Sequence, residues 1–232
     1  MDLDDFLQDM PFERGRLGVR VAVARDGRRV LLVRVELGIL QLELEGRPDG
    51  GESVLERLLA ERASFETAHA DRDGGAALRL ELVQYQQRAM ALTAAGLVDL
   101  AIADWDRAAL GAELLRRSGG DEAEWAAGFG FSVLVERTRT LARRALAEGR
   151  GREAAAAIGA GLEALAARAA EIGLGTAFEG LADIVALRAW RDSLVPRLPP
   201  AQRAELEARL RAAIAAENYE LAAILRDELR LL

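Results

Sequence analysis

The apolar residues of this chain change their spacing once. After a short lead-in, from Arg16 to residue 44, they alternate with polar ones, the period of a strand; from Glu52 to the C-terminus they recur every three or four residues, the period of a helix. A single switch of this kind confines the fold to strands first and helices afterwards. The class is α+β, mostly α: an N-terminal antiparallel β-hairpin or meander, then a helical bundle or a degenerate helical array, then a C-terminal helical hairpin. The divisions follow: a β-meander with a short leading helix over 1–50, an α-helical region over 51–197, and a terminal hairpin over 198–232.

In the first part, Asp2 to Met10 reads as a short capped helix or lead-in arm. Leu17, Val19, Val21 and Val23 alternate with Gly18, Arg20 and Ala22 as a strand with one buried face does, and Asp26-Gly27 is a strong hairpin signal. Leu31, Val33, Val35 and Leu37 continue the alternation, with Arg34 and Glu36 opposite. After Gly38 the phase slips by one to Leu40, Leu42 and Leu44. The second strand is therefore either long and bent at Gly38 or broken there into a third. Gly46 to Gly51 closes the sheet as a turn. Seven arginines fall between Arg14 and Arg34 against one acid, Asp26. As a solvated strand face they need no partner; as a basic ribbon, Arg20, Arg28 and Arg29 are its candidate nucleic-acid contacts. No aromatic residue interleaves with them to stack on bases.

The helical period predicts helices near 52–70, 76–95, 97–117, 121–148, 152–172 and 176–195, punctuated by glycines. Asp71-Arg72-Asp73-Gly74-Gly75 reads as a linker; its carboxylates lack the distal glutamate of a calcium loop. Ala94 to Ile102 and Glu148 to Ala154 resemble tetratricopeptide helix-turn-helix units, with a glycine at the turn and a small alanine beyond it. Gly96 and Gly149 lie 53 residues apart, against the roughly 34 of a regular array, so the repeat is degenerate. Phe129 and Phe131, in Gly128-Phe129-Gly130-Phe131, mark a possible kink and groove, and Trp105, Trp125 and Trp190 sit at helical spacing, where large aromatics usually fill core.

At the C-terminus, Leu206, Leu210, Ala213 and Ile214 line one helix face, and after Glu217-Asn218 the pattern restarts with Tyr219, Ala222, Ala223, Arg226 and Leu229, flanked by Leu225. Pro199-Pro200 can open the first helix and Asn218 can cap the second. A two-helix unit of this size is below the roughly 40 residues at which chains fold unaided, so its apolar face needs cover. The run Glu217-Asn218-Tyr219-Glu220, with Ala222-Ala223 and Leu225-Arg226-Asp227 behind Leu206, Leu210 and Ile214, resembles the UvrB/UvrC motif. The resemblance covers about a seventh of the chain. It implies a helical hairpin that mediates protein–protein contact, as between two components of the bacterial excision-repair nuclease, with related copies in ClpC-type unfoldases and the McsA family. The stretch from Leu37 to Gln41 with Gly46-Arg47-Pro48-Asp49-Gly50 is similar to that of bacterial proteins ending in such a motif, a likeness that implies no activity.

The engines that accompany the motif elsewhere are missing from this sequence. There is no lysine for a Walker-type phosphate loop and no cysteine for the zinc sites of McsA-type proteins. His69 is the one histidine, beside Asp71 and Asp73, and reads as a helix-end cap. Asp104 and Asp106 lie on different sides of a helix and cannot share a metal easily. The expectation is therefore no enzyme, no cofactor and no metal site. With a formal charge of −7, no run of eighteen apolar residues and no basic-then-apolar start, the expected setting is cytoplasmic, without membrane contact. The expected function is a protein–protein adaptor or scaffold that docks or dimerises through the hairpin. Leu206, Leu210, Ile214, Tyr219, Ala223 and Leu229 would form its contact face, and Arg226 and Asp227 would set register. The alternatives are a repair-related nucleic-acid accessory using the arginine ribbon, or an adaptor of a ClpC-type protease system.

Overall fold

The computed structural model describes residues 7–60, 72–194 and 200–231. Three strands, β1 (Gly18–Val23), β2 (Arg29–Val35) and β3 (Gly38–Glu43), form an antiparallel meander in the order β1-β2-β3. Gly38 pairs with Val35, so Glu36 and Leu37 are a two-residue turn and the phase slip marks a third strand, not a bend. Leu37, expected on the buried face, is fully out in solvent at that turn. β2 departs from a one-faced strand because it is central: Leu31 and Val33 face the helices with Val19, Val21 and Leu42, while Val30 and Leu32 are buried on the other side beneath Met10. Arg34 ties this arm down, donating to the Met10 carbonyl (2.8 Å) and to the Gly38 carbonyl (2.8 Å).

Helices follow: α1 (Val54–Ala60), α2 (Arg72–Ala94), α3 (Val98–Ser118), α4 (Gly120–Ala147), α5 (Gly151–Glu171), a 3₁₀ segment (Gly175–Gly180), α6 (Ala182–Leu194), α7 (Pro200–Ala215) and α8 (Tyr219–Leu231). Two expected boundaries move. Gly74-Gly75 lies inside the first turns of α2 and not in a linker; at Gly75 an added Cβ would touch Glu122 at 3.4 Å, so a small residue lets α2 approach the start of α4. The helix expected over 176–195 breaks into the 3₁₀ segment and α6. The segment 61–71, with His69 and Asp71, lies outside the described residues.

From α2 to α6 each helix packs chiefly on its neighbours in sequence, a nearly one-dimensional stack. α4 runs as one unbroken helix through Gly128 and Gly130 and spans both halves of the core. Its N-terminal half joins α1, α2 and α3 around Leu82, Tyr85 and Trp105; its C-terminal half joins α5 and α6 around Ile158, Leu165 and Ile184. At Gly96 and at Gly149 two helices do meet through a glycine turn, and the two turns share one construction. At Gly96 (φ 75°) the Leu97 N–H bonds to the Leu92 carbonyl (2.9 Å) and the Gly96 N–H to that of Thr93 (3.2 Å). At Gly149 (φ 73°) the Arg150 N–H reaches Ala145 (2.8 Å) and the Gly149 N–H reaches Leu146 (3.0 Å). This is the glycine-ended Schellman cap, which satisfies the last carbonyls of one helix while turning the chain into the next. The alanine five residues after each glycine, Ala101 and Ala154, is fully buried.

A buried polar network fastens sheet to helices. Arg88 makes two 2.7 Å bonds to the Asp104 carboxylate and a third, also 2.7 Å, to the Glu43 carbonyl of β3. Glu81, buried two turns earlier on α2, accepts from Ser53 Oγ (2.6 Å) and the Val54 N–H (2.7 Å), capping α1. Tyr85, enclosed beside them, has its phenol pushed up to about 12 by burial.

Candidate functional site

α7 and α8 are the part of the molecule with fewest obligations elsewhere: they pack principally on each other. α7 begins at Pro200, where a helix loses no useful N–H, and α8 is capped by Asn218, whose Oδ1 accepts the Leu221 N–H at 3.1 Å. Between them the backbone repeats the turn seen at Gly96 and Gly149. The Asn218 N–H bonds to Ala213 (2.9 Å), the Glu217 N–H to Ile214 (3.1 Å), and the alanine five residues on, Ala222, is buried. Here the left-handed position is held by Glu217, at φ 53°, instead of glycine.

The seam of the hairpin is made by Ala213, Ala222 and Leu225, with Leu206 and Leu210 half-buried against them. Small residues at two facing positions bring the backbones close, and Leu225, expected only to flank the stripe, is its centre. This divides the contact face expected from the sequence. Leu206 and Leu210 turn inward to the partner helix; Ala223 and Leu229 are half-buried; Ile214 (53 % exposed) and Tyr219 (69 % exposed) face solvent. Arg226 and Asp227 are exposed and bond to each other (2.9 Å), neutralising the pair in place. Two residues absent from the expected set, Leu221 and Ile224 (59 % exposed), also point outward. Their signal was available in the sequence: one turn apart, they lie off the axis that Ala222 and Leu225 define. Ile214, Tyr219, Leu221 and Ile224 all fall within two helical turns of Glu217, so among the described residues the large exposed apolar side chains of the hairpin gather at its turn end.

The arginine ribbon is arranged differently from a single basic stripe. Arg20 pairs with Leu32 on the outer face of the sheet, whereas Arg29 pairs with Val23 on the opposite one. Arg28 is held by Asp26 (2.7 Å) and by Glu43. The hydrogen bonds from Arg28 keep the Asp26 carboxyl below its usual range. Asp106 bonds to Arg137 of α4 (2.5 Å) while Asp104 is buried on Arg88, so these two carboxylates do diverge. Among the described residues no group of three or more histidine, aspartate or glutamate side chains is placed to hold a metal ion, and no helix is long and apolar enough to cross a membrane.

No curated protein and no solved structure matches the chain. A family model does match part of it, over the span the residues Glu217 to Asp227 anchor. Residues 201–232, the α7–α8 hairpin, carry the UvrB/uvrC motif.

Proposed function

We propose that this protein is a non-enzymatic adaptor whose C-terminal hairpin docks on a protein partner. The observation that carries the reading is the hairpin's own incompleteness. It matches an interaction motif and, among the described residues, encloses Ala213, Ala222 and Leu225 while leaving Ile214, Tyr219, Leu221 and Ile224 uncovered near the turn. Covering such side chains is worth roughly 1.5–3 kcal/mol each when burial is complete, which is the driving force a partner would exploit. A protein is favoured over a nucleic acid by charge. Residues 201–232 contain five arginines and six carboxylates, so the hairpin offers no excess of cations to a phosphate backbone. The arginines of the sheet add little to that alternative, since Arg20 and Arg29 lie on opposite faces.

The test compares the full chain with its Ile214→Glu/Ile224→Glu variant and with a chain ending at Leu198, in affinity capture followed by partner identification. The expected result is that both altered forms lose the same partner. A partner list unchanged by both, with far-ultraviolet circular dichroism showing the variant folded, overturns the docking role.

A further inference from the structure

The outer face of α2 carries a second, independent surface. Ala76, Leu80, Val83, Gln87, Met90 and Ala94 recur at spacings of four and three, the a/d pattern of a coiled-coil seam, and they lie opposite the face that buries Leu78, Leu82, Tyr85 and Ala89. Leu80 is 55 % exposed and Met90 51 %, and no described element packs over them. The solvent side of a helix on a soluble stack should be charged. Here the only acidic or basic residues between Leu80 and Ala95 are Glu81 and Arg88, and both are buried. Arg79, on the flank of the stripe, lies over the Trp125 ring at 4.6 Å, and other charges sit at its edges: Asp49 accepts from Gln84 (2.9 Å), and Asp9, Glu13 and Arg16 border Ala94.

We propose that this face is a two-fold interface with a second copy of the chain, the two α2 helices running antiparallel. Two features select that occupant. The stripe is a palindrome in side-chain size about residue 85: Ala76 meets Ala94, Leu80 meets Met90 and Val83 meets Gln87, so large side chains oppose large and small oppose small, as a self-complementary contact requires. Charge gives the second. A copy carries the same formal charge of −7, and none of the six stripe residues is charged, so the seam itself brings no like charges into contact and the charges around it stay at the rim. Gln87, beside the two-fold axis, brings the two copies' amides within reach of each other and fixes register as a polar seam residue does. A seam of about 27 Å buries less than the roughly 1,200 Å² of a standard interface, so the dimer dissociates within an accessible concentration range.

Sedimentation equilibrium of the full chain over a concentration series, with its Leu80→Glu, Met90→Glu and Ile224→Glu variants, tests the proposal. Both seam variants should weaken self-association more than about tenfold, while I224E leaves it unchanged. The absence of cysteine allows a geometric check. On mild oxidation, A76C mixed with A94C should cross-link between chains, and A94C alone should not, because antiparallel helices hold the two copies of residue 94 at opposite ends. A chain that is monomeric throughout, a dimer indifferent to L80E and M90E in folded protein, a dimer lost in I224E, or efficient cross-linking of A94C alone would each overturn it.

Discussion

Thr138 and Gly161 set how closely α4 and α5 approach. A Cβ added at Gly161 would lie 2.2 Å from Thr138 Oγ1 and 2.8 Å from its Cβ, and Thr138 is buried with its hydroxyl bonded to the Leu134 carbonyl (2.7 Å). Gly161→Ala gains roughly 0.5–1 kcal/mol of helix propensity, but the overpacking costs about 1–3 kcal/mol. The net expectation is a lower midpoint in urea denaturation. Glu217 offers the opposite sign. It occupies the left-handed cap position that glycine fills at Gly96 and Gly149, against a steric cost of about 1–2 kcal/mol for a side chain. Glu217→Gly should therefore stabilise the hairpin, read as a severalfold rise in hydrogen-exchange protection of amides in α8.

At the scale of elements, one buried guanidinium ties sheet to stack alongside the apolar contact of Leu31 and Val33 with Leu92 and Ala101. Arg88 on α2 bonds to Asp104 on α3 and to the last carbonyl of β3, and all of this is buried. Removing one partner of such a pair leaves an uncompensated charge in the interior, at a cost of about 3–5 kcal/mol. Arg88→Ala should lower stability by that amount, whereas Arg88→Met with Asp104→Leu should recover most of it. Recovery of stability without recovery of β-sheet amide protection would show that the bond to Glu43 positions the sheet as well. In sequence, Asp104 is legible only as an acid on a different side of its helix from Asp106. Its partner sixteen residues earlier follows from the crossing of α2 and α3, which no local spacing reports.

The molecule as a whole is a stack in which few contacts skip a helix. Arg168 of α5 reaches past α4 to Glu113 of α3 (3.1 Å), which also accepts from Arg116 (2.7 Å) and Arg117 (2.9 Å). Hydrogen bonds from Arg116, against some burial, hold the Glu113 carboxyl down at about 2, below its ordinary 4.5. Because the folded-state pKa is depressed, the cluster's contribution is complete above pH 4.5 and is lost as the pH falls through 2. Discounted for partial exposure, that contribution is about 1–2 kcal/mol. Urea midpoints measured between pH 6 and 2 should fall across this window, and Glu113→Gln should flatten the fall.

Local chemistry determined a good deal of this protein. The change of apolar period placed the sheet before the helices; Gly96, Gly149 and Asn218 fixed their turns and cap; and the run from Glu217 to Asp227 marked the hairpin. These are properties of neighbours in sequence, settled by backbone sterics and by hydrogen bonds spanning five residues or fewer. Tertiary structure decided which side of each amphipathic element faces out. Periodicity shows that Leu206, Leu210, Ile214 and Tyr219 are apolar and helical, but the partner helix chooses Leu206 and Leu210 for the seam and leaves the other two in solvent. The same holds for α2: periodicity predicts a helix near 76–95, but α3 and the sheet decide which of its faces is left outside. Burial depends on where other elements lie, and that information is carried by contacts distant in the chain.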